Sequence, residues 1–349
     1  MKIEYRKLQQ FTYSILCTEG VTSQEAQSVA QVLVWCDAIG RSTHGVIRLP
    51  TYLKRFKLGL IQSPCHPEFS QKSETIFMLD GNNGFGHYLG SMAMSKAIEL
   101  ADRYGIGMVG VRHSNHFSAN AYYVQMAAAK SQIGLAFTNG FPRTAPHGGI
   151  TATLGTNPLG FGAPMRSGES VLVDFSTSSV SGAAIRQAIV EDRPIPEGVI
   201  LREDGSASGV TQKAPVSDED AILPFGGAKG FCLGLMVEIL SGVITDSGIS
   251  HEVGSVYKNF NRSSDVGHLF ISIDISKVID MERYYNKMDL LISYLKASKK
   301  QMGIEEILIP GETRWRNYQR QLVEGIELES KTIESLEIIA KDLNISIPW

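Results

Sequence analysis

The sequence has few cysteines, and none of them lies in a pattern that binds a metal or forms a redox pair. Cys17, Cys36, Cys65 and Cys232 are far apart, and no two of them make a CxxC motif. We interpret all four as reduced thiols of the core, neither paired in disulfides nor bound to a metal.

The sequence also lacks an excess of charge of one sign and a long apolar run. Its 33 Lys and Arg residues oppose 36 Asp and Glu residues, for a net charge of −3. This balance, without a basic cluster, gives no surface for a nucleic acid or an anionic membrane. Charges near the N-terminus argue against a signal peptide, and Gly and Pro interrupt the uncharged stretch 144–165. We therefore expect a cytoplasmic protein whose partner is a small molecule.

Enough apolar sequence is present for a large folded core. The chain has 349 residues, 43% of them hydrophobic, and at roughly 100–200 residues per domain this length predicts two domains. Residues 73–285 alternate short β-rich runs with helices, whereas 1–72 and 286–349 are mainly helical in pattern. The sequence predicts an α/β (α+β) fold, in which a sheet domain over 73–285 joins a discontinuous helical domain built from both ends of the chain.

Capping residues and apolar spacing predict the individual elements. Thr22 and Glu25 form a capping box for a helix over 23–39, which Gly40 ends, and a second helix is expected over 45–58. Apolar patterning predicts strands at 75–79, 107–111, 133–138, 171–175 and 268–273, and helices at 91–104, 120–131, 231–245, 284–300 and 331–343.

A histidine and an arginine stand at the start of this second helix, in THGVIR at 43–48. If the helix begins at Gly45, His44 and Arg48 lie about one turn apart on the same side. A planar guanidinium suits a substrate carboxylate, and an imidazole suits proton transfer near neutral pH. On this segment alone, a capping histidine and a solvated arginine explain the pattern equally well.

A second polar cluster, RHSNHFS at 112–118, follows the apolar strand at 107–111. Side chains at the carboxyl end of a buried strand are common ligand-binding positions. His113 and His116 are a possible metal pair, but no third ligand is near in the sequence and the spacing is not HExxH. We therefore expect no metal site, and His116 is a candidate catalytic residue.

The glycine-rich loops do not match the common nucleotide-binding motifs. GNNGFG at 81–86 has its glycines out of order for GxGxxG, so a Rossmann site is disfavoured, and GxxxxGK[ST] is absent. LPFGGAKG at 223–230, which includes Lys229, is either a cradle for a pyrophosphate or a flexible entry turn. The loops at 138–149 and 155–160 are functional loops or tight turns, and we interpret His147 as structural.

Together these segments resemble the type-2 malate/L-lactate dehydrogenases over nearly the full chain. The most specific matches are THGVIR at 43–48, NHFS at 115–118, GTNPLGFGAP at 155–164, VDFSTS at 173–178, LPFGGAKG at 223–230 and IPGE at 309–312. The resemblance implies an oxidoreductase that uses NAD or NADP and acts on a small 2-hydroxy or 2-oxo acid. It also implies a homodimer with a non-Rossmann cofactor site.

The resemblance further implies roles for residues that match its motifs. His44 and His116 match the histidines of proton transfer, and Arg48 matches the arginine that binds the substrate carboxylate. We assign the proton donor to His116, with His44 as its orienting partner or the alternative donor. Thr43 and Thr156 are predicted to contact the substrate. The predicted cofactor contacts are Gly140, Val171, Leu172, Val173, Asp174, Phe175, Ser176, Ala228, Lys229, Gly311, Glu312 and Thr313.

Four positions depart from the family pattern. Gly140 offers no hydroxyl where a Ser or Thr is often found, His147 replaces a common tryptophan, and Gly182 and Ala184 replace an arginine and a lysine. Two alternatives therefore stay open: a reductase of cyclic 2-imino acids, and a catalytically silent metabolite-binding protein.

The choice between NAD and NADP also stays open at this point. Arg314 and Arg316 follow the IPGE turn. They are either contacts of a cofactor 2′-phosphate or simply solvated side chains.

Overall fold

The computed structural model describes residues 1–181, 185, 188, 198–202, 204–208 and 220–349. Within this part of the chain a seven-stranded sheet forms the centre of the fold, in the order β1-β2-β3-β7-β4-β5-β6. The strands are β1 (Glu68–Gln71), β2 (Ile76–Asp80), β3 (Ile106–Ser114), β4 (Gln132–Thr138), β5 (Leu159–Pro164), β6 (Ser170–Phe175) and β7 (Val266–Asp274). The β2–β3 pair is parallel, and the other neighbouring strands of this sheet are antiparallel.

Nine α-helices lie within the described residues. They are α1 (Tyr5–Thr18), α2 (Ser23–Ala38), α3 (Leu49–Lys57), α4 (Gly86–Tyr104), α5 (Asn120–Ala128), α6 (Ala228–Glu238), α7 (Met281–Lys296), α8 (Glu312–Glu324) and α9 (Ser330–Asp342). None of these helices is both long enough and apolar enough to cross a bilayer. A three-stranded sheet joins Ala221–Ile222, Ile200–Leu201 and Ala207–Ser208 in that order.

The middle of the sheet is buried because helices approach it closely. Val109 and Val111 of β3 and Phe270 of β7 are fully buried in the main core. A Cβ at Gly107 would lie only 2.2 Å from the carbonyl oxygen of Ala97 in α4. A larger residue there would push α4 away from the sheet, so glycine is required for this packing.

The C-terminal residues pack back on the N-terminal helices. The rings of Phe11 and Trp349 meet edge to face at 5.0 Å, and Nε2 of Gln321 donates to the carbonyl oxygen of Asp37 at 3.4 Å. The short strand Lys2–Ile3 pairs with Ile326–Glu327. The division of the chain into domains at 72/73 and 285/286 stays a prediction.

Apolar patterning predicted most of the elements, but it gave no bounds for α1 and α8 and missed β1 and β5. All residues of β1, with the sequence EFSQ, are exposed at the edge of the sheet, so no apolar alternation marks it. The sequence of β5, LGFGAP, contains two glycines and a proline, which are typical of loops.

The capping box predicted at the start of α2 is wrong. Thr22 makes no side-chain capping hydrogen bond. The carboxylate of Glu25 accepts instead from the backbone N–H of Cys65 at 3.0 Å and from the hydroxyl of Ser63. Donors from a loop distant in sequence therefore take the place of the local partners.

The cysteines are free thiols, but not all of them are in the core. Cys36 and Cys65 are buried, whereas Cys232 is exposed on α6. The interpretation of Cys232 as a core residue is therefore wrong, because its helix presents that side to the surface.

Candidate active site

A cavity lies where the loops after β3 and β4 meet the turns before α3. Its lining includes five of the predicted site residues: His44, Arg48, His116, Gly140 and Thr156. The structure therefore brings together residues that come from four separate segments of the sequence.

The turn that carries the first histidine and the arginine differs from the predicted helix over 45–58. Two single 3-10 turns, Ser42–His44 and Val46–Arg48, precede α3. A Cβ at Gly45 would lie 1.9 Å from Oδ1 of Asp37, and the N–H of Val46 donates to Oδ2 of Asp37 at 2.8 Å. Burial raises the pKa of Asp37 to about 8. The buried side chain of Asp37 interrupts the predicted helix, and this interruption fixes the position of the turn that carries His44 and Arg48.

Two contacts orient the guanidinium of Arg48. Its Nε donates to the carbonyl oxygen of Thr43 at 2.7 Å, and its Cζ lies 5.0 Å from the centre of the Tyr257 ring. Arg48 is half-buried and lines the cavity. Arg48 therefore has contacts within the protein, and its role in substrate binding stays a prediction.

A buried arginine holds the loop that supplies Tyr257. Arg55 is fully buried, and its guanidinium donates to the carbonyl oxygens of Asn259 at 2.7 Å and Arg262 at 3.1 Å and to Oγ of Ser264 at 3.1 Å. Several carbonyls that point to one guanidinium fix the course of the loop at 255–264. Arg55 thereby positions the ring that lies against Arg48.

Replacing Arg55 by Lys is expected to lower the free energy of unfolding by about 1–2 kcal/mol, because an ammonium cannot reach all of these acceptors. Urea denaturation measures the change. Arg166→Lys is the matched control, since Arg166 is an exposed arginine paired with Glu282 and Asp289 and exposed pairs contribute little. An unchanged urea midpoint for Arg55→Lys would show that the loop does not depend on this side chain.

Each of the two cavity histidines has a hydroxyl at Nδ1. Oη of Tyr52 lies 2.7 Å from Nδ1 of His116, and Oγ1 of Thr43 lies 3.0 Å from Nδ1 of His44. The two imidazole rings face each other, with their centres 6.0 Å apart and their planes 28° apart. Two imidazoles and a guanidinium thus surround one small space.

The first histidine of the RHSNHFS cluster, His113, lies elsewhere. Nδ1 of His113 is 3.0 Å from Oδ1 of Asp80, and Nε of Arg112 is 3.0 Å from Oδ2 of the same carboxylate. His113 is exposed and does not line the cavity. Within the described ranges, no three His, Cys, Asp or Glu residues are grouped as metal ligands.

Several residues of the cavity escaped the sequence analysis. Tyr52, Arg143 and Tyr257 all contribute to the cavity or to its histidines. Tyr52 carried a usable signal, because it lies four residues after Arg48 and so on the same side of a helix. Tyr257 carried none, since its loop reaches the cavity only through the tertiary fold.

The three predicted cofactor segments are neighbours along β6. The N–H of Leu172 donates to the carbonyl oxygen of Pro310 at 2.9 Å, beside Gly311, whose φ of 106° is in the left-handed region. At the other end of the strand, the N–H of Phe225 donates to the carbonyl oxygen of Thr177 at 3.1 Å. Ala228 and Lys229 are exposed where α6 begins. Both segments are therefore anchored to β6 or to the residues directly after it.

Side chains at the end of β6 fit an anionic group. Nη2 of Arg314 donates to the carbonyl oxygen of Asp174 at 2.9 Å, and Nη2 of Arg41 lies 3.8 Å from Oδ2 of Asp174. Nε of Arg41 and Nη1 of Arg314 are buried and have no hydrogen-bond partner among the described residues. Because buried donors are normally satisfied, this pair suits a phosphate group of a dinucleotide.

The two arginines after the IPGE turn have different environments. Arg314 is half-buried, and burial lowers its pKa. Arg316 is exposed and pairs with Glu306 at 2.6 Å. Gly182 and Ala184, two of the four departures from the family pattern, lie outside the described residues.

Comparisons with known proteins agree with these motifs. A family model described as malate/L-lactate dehydrogenase matches residues 3–337. The chain is 35% identical to the malate/(S)-sulfolactate dehydrogenase of Methanothermus fervidus, over 96% of each chain. The structure of malate dehydrogenase from Pyrococcus horikoshii matches with a TM-score of 0.90 and 31% identity, over 99% of this chain and 96% of that one.

A further solved structure has a different named substrate. Δ1-piperideine-2-carboxylate reductase from Pseudomonas syringae pvar. tomato matches with a TM-score of 0.88 and 27% identity, over 97% of this chain and 100% of that one. The family match spans nearly the whole chain, and the first relative exceeds 30% identity. This chain therefore belongs to the malate/L-lactate dehydrogenase family.

Proposed function

We propose that this protein transfers hydride reversibly between nicotinamide and C2 of a small 2-hydroxy or 2-oxo carboxylic acid. The observation that best supports the proposal is a single cavity lined by the guanidinium of Arg48 and the imidazoles of His44 and His116. Reduction of a 2-oxo acid requires a carboxylate anchor beside a proton donor, and this cavity offers both. Membership of a dehydrogenase family agrees with that chemistry.

Arg48 is proposed to bind the substrate carboxylate. The hydrogen bond from its Nε to Thr43 and the stacked ring of Tyr257 restrict the guanidinium before a ligand arrives. A guanidinium that is already restricted loses less conformational entropy on binding, and its planar donors can bond to both carboxylate oxygens. It would thereby fix the orientation of the adjacent C2 atom.

His116 is proposed to donate the proton to the carbonyl oxygen of the substrate. Because Tyr52 occupies Nδ1 of His116, the exchanged proton would be carried at Nε2. His44 would orient the substrate or serve as the alternative donor. Thr43 and Thr156 are proposed as substrate contacts, Thr43 beside Nδ1 of His44 and Thr156 in the cavity lining.

The cofactor is proposed to be NAD or NADP, which when bound supplies or accepts the hydride. Residues 171–176, 228–229 and 311–313 would hold it, and Arg41 and Arg314 would pair with its phosphate groups. The antiparallel pairing around β6 and the irregular GNNGFG loop support a site of a different type from the Rossmann site. The homodimer and the cytoplasmic location stay predictions.

Loss of reduced-nicotinamide absorbance tests the proposed function. NADH and NADPH are assayed in parallel against a panel of 2-oxo acids and one cyclic 2-imino acid, and we expect turnover of at least one 2-oxo acid. Turnover of the imino acid alone would replace the proposal with an imine reductase. Nucleotide binding without any turnover would favour the silent metabolite-binding protein.

Gly140→Ser is expected to lower KM for the reduced cofactor by about 3–10-fold, the effect of one added hydrogen bond. A Cβ at Gly140 would have no heavy atom within 4 Å, so the side chain is tolerated and the new hydroxyl lies in the cavity. Gly140→Ala is the matched control, because it adds the Cβ without the hydroxyl. Equal KM values for the two variants would remove position 140 from the cofactor site.

A further inference from the structure

A buried histidine without a part in the proposed chemistry lies in the middle of the central sheet. His268 is on β7, between β3 and β4, and is 0% exposed. Its Nδ1 lies 2.8 Å from Oγ1 of Thr138 on β4, and its Nε2 lies 2.8 Å from Oγ of Ser114 on β3. The imidazole therefore joins the three central strands through its two nitrogens.

The two hydroxyls fix the plane of this ring. Histidine nitrogens bond in the plane of the imidazole, so a partner at each nitrogen prevents the ring from turning about its Cβ–Cγ bond. Each hydroxyl also has a backbone acceptor, since Oγ1 of Thr138 lies 3.1 Å from the carbonyl oxygen of Asn139 and Oγ of Ser114 lies 3.4 Å from that of Asn115. Burial lowers the pKa of His268 to about 3, so the ring is neutral at neutral pH.

The ring of Phe117 stacks on this fixed imidazole. The centres of the Phe117 and His268 rings are 4.4 Å apart, and their planes are 9° apart. The ring of Tyr123 also stacks on Phe117, at 4.6 Å and 15°, and its Oη donates to the carbonyl oxygen of Phe117 at 2.7 Å. Stacked aromatic pairs are worth more than their buried area alone. We call these three rings the Phe117 stack.

The Phe117 stack holds the residue directly after His116. Phe117 is 1% exposed and lines the cavity. On the other side of His116, Nδ2 of Asn115 donates to the carbonyl oxygens of Asn83 at 3.1 Å and Gly84 at 3.0 Å. The backbone of His116 is therefore held between two buried anchors, one polar and one aromatic.

The backbone after the stack depends on its surroundings. Ser118, which follows Phe117, has a φ of 70°, in the left-handed region that a residue other than glycine seldom adopts. Such a conformation persists only where the surrounding contacts enforce it. Without the Phe117 stack we expect this turn to relax and His116 to move with it.

We propose that His268 is a positioning residue of His116, and that it acts through the ring of Phe117. The proposal rests on the proposed role of His116 as the proton donor, because only then does the placement of that imidazole set the rate. A hydrocarbon ring at position 268 would also stack on Phe117, but no hydroxyl would fix its plane. This difference accounts for a histidine at a buried position of the sheet.

Two substitutions separate the stack from the hydrogen bonds. His268→Phe keeps a flat ring against Phe117 and loses both hydrogen bonds, whereas His268→Leu loses the ring as well. In both variants the hydroxyls of Ser114 and Thr138 keep their backbone acceptors.

The kcat for a 2-oxo acid should stay within about 3-fold of wild type in His268→Phe and fall about 10–100-fold in His268→Leu, because small displacements of a catalytic group are costly. The Kd for reduced cofactor should not change in either variant, since the proposed cofactor contacts lie along β6. Wild-type kcat in His268→Leu, or equal losses in the two variants, would overturn the proposal.

A double-mutant cycle with Phe117→Leu tests the route from His268 to His116. Phe117→Leu alone should lower kcat about 10–100-fold, as His268→Leu does. Once the Phe117 ring is gone, adding His268→Leu should lower kcat by less than about 2-fold more, since coupled residues are not additive. Effects that multiply in the double variant would show that His268 does not act through Phe117.

Leu269→Ala is the matched control for lost stability. Leu269 is the next residue of β7, is 2% exposed, and packs with Phe137 and Val237 in a separate cluster on the other face of the sheet. This variant should have a lower Tm, as buried Leu→Ala changes do, but the wild-type kcat. A loss of kcat as large as that of His268→Leu would attribute both losses to stability and overturn the positioning role.

A readout independent of turnover separates this proposal from the proposed function. The Cε1–H signals of histidine are recorded by NMR in the ligand-free protein, and the His116 signal is assigned from its loss in His116→Asn. We expect one sharp His116 signal in the wild type and in His268→Phe, and a broadened or doubled signal in His268→Leu. An unchanged sharp signal in His268→Leu would overturn the inference whatever substrate the protein uses.

Discussion

Replacing His116 with Asn is expected to lower kcat for reduction of a 2-oxo acid by about 10²–10⁴-fold, the usual contribution of a general acid. Asparagine retains a polar group beside Tyr52 but has no proton to give at neutral pH. The Kd for reduced cofactor should not change, because the proposed cofactor contacts lie along β6. Stopped-flow measurement of a single turnover separates this loss from product release.

His113→Asn is the control for that experiment. His113 lies three residues earlier and pairs with Asp80 on the surface, so wild-type kcat is expected. His44→Asn then distinguishes the two cavity histidines. A larger loss in His44→Asn than in His116→Asn would assign the proton donor to His44 and contradict our assignment.

Arg48→Lys should raise KM for a 2-oxo acid by about 10–100-fold, the effect of losing one charge-assisted hydrogen bond of two. Lysine keeps the positive charge but cannot bind both carboxylate oxygens at once. It also loses the contacts that orient the guanidinium, with Thr43 and Tyr257. Steady-state kinetics with saturating cofactor measure the change. The exposed Arg166→Lys variant should keep the wild-type KM. An unchanged KM in Arg48→Lys would place the substrate carboxylate elsewhere in the cavity.

The central sheet was largely predictable because its strands carry their own signal. The segments that form β3, β4, β6 and β7 are short runs rich in β-branched and apolar residues. Such a pattern over a few residues is enough to predict a strand. The edge strand β1 is polar and exposed, so only its pairing with β2 defines it. Local pattern thus identified the core strands but did not identify the edge.

The candidate site was predictable only in part, for a related reason. His44, Arg48 and His116 were selected from two short motifs, and the fold places them around one cavity. The interrupted helix before α3 was not predictable, because it depends on the buried carboxylate of Asp37, which comes from the preceding helix. Local sequence does not report which distant side chain will occupy a given space.

The supporting side chains were the least predictable part of the site. In the sequence, Arg55 resembles an ordinary basic residue of an amphipathic helix. In the structure it is fully buried and donates to backbone carbonyls some 200 positions later in the chain. His87 and Ser118 likewise meet only through the tertiary fold, with Nε2 of His87 3.0 Å from Oγ of Ser118. Long-range partners of this kind have no periodic signature.

One measurement tests the central claim most directly: the fate of deuterium placed at both C4 positions of the reduced nicotinamide. The product of a complete reaction with a 2-oxo acid is analysed by mass spectrometry and proton NMR. The proposed function predicts one deuterium at C2 of the product for each cofactor oxidised, formed much more slowly by His116→Asn but at the wild-type rate by His113→Asn. Cofactor oxidation without carbon-bound deuterium in the product would contradict it.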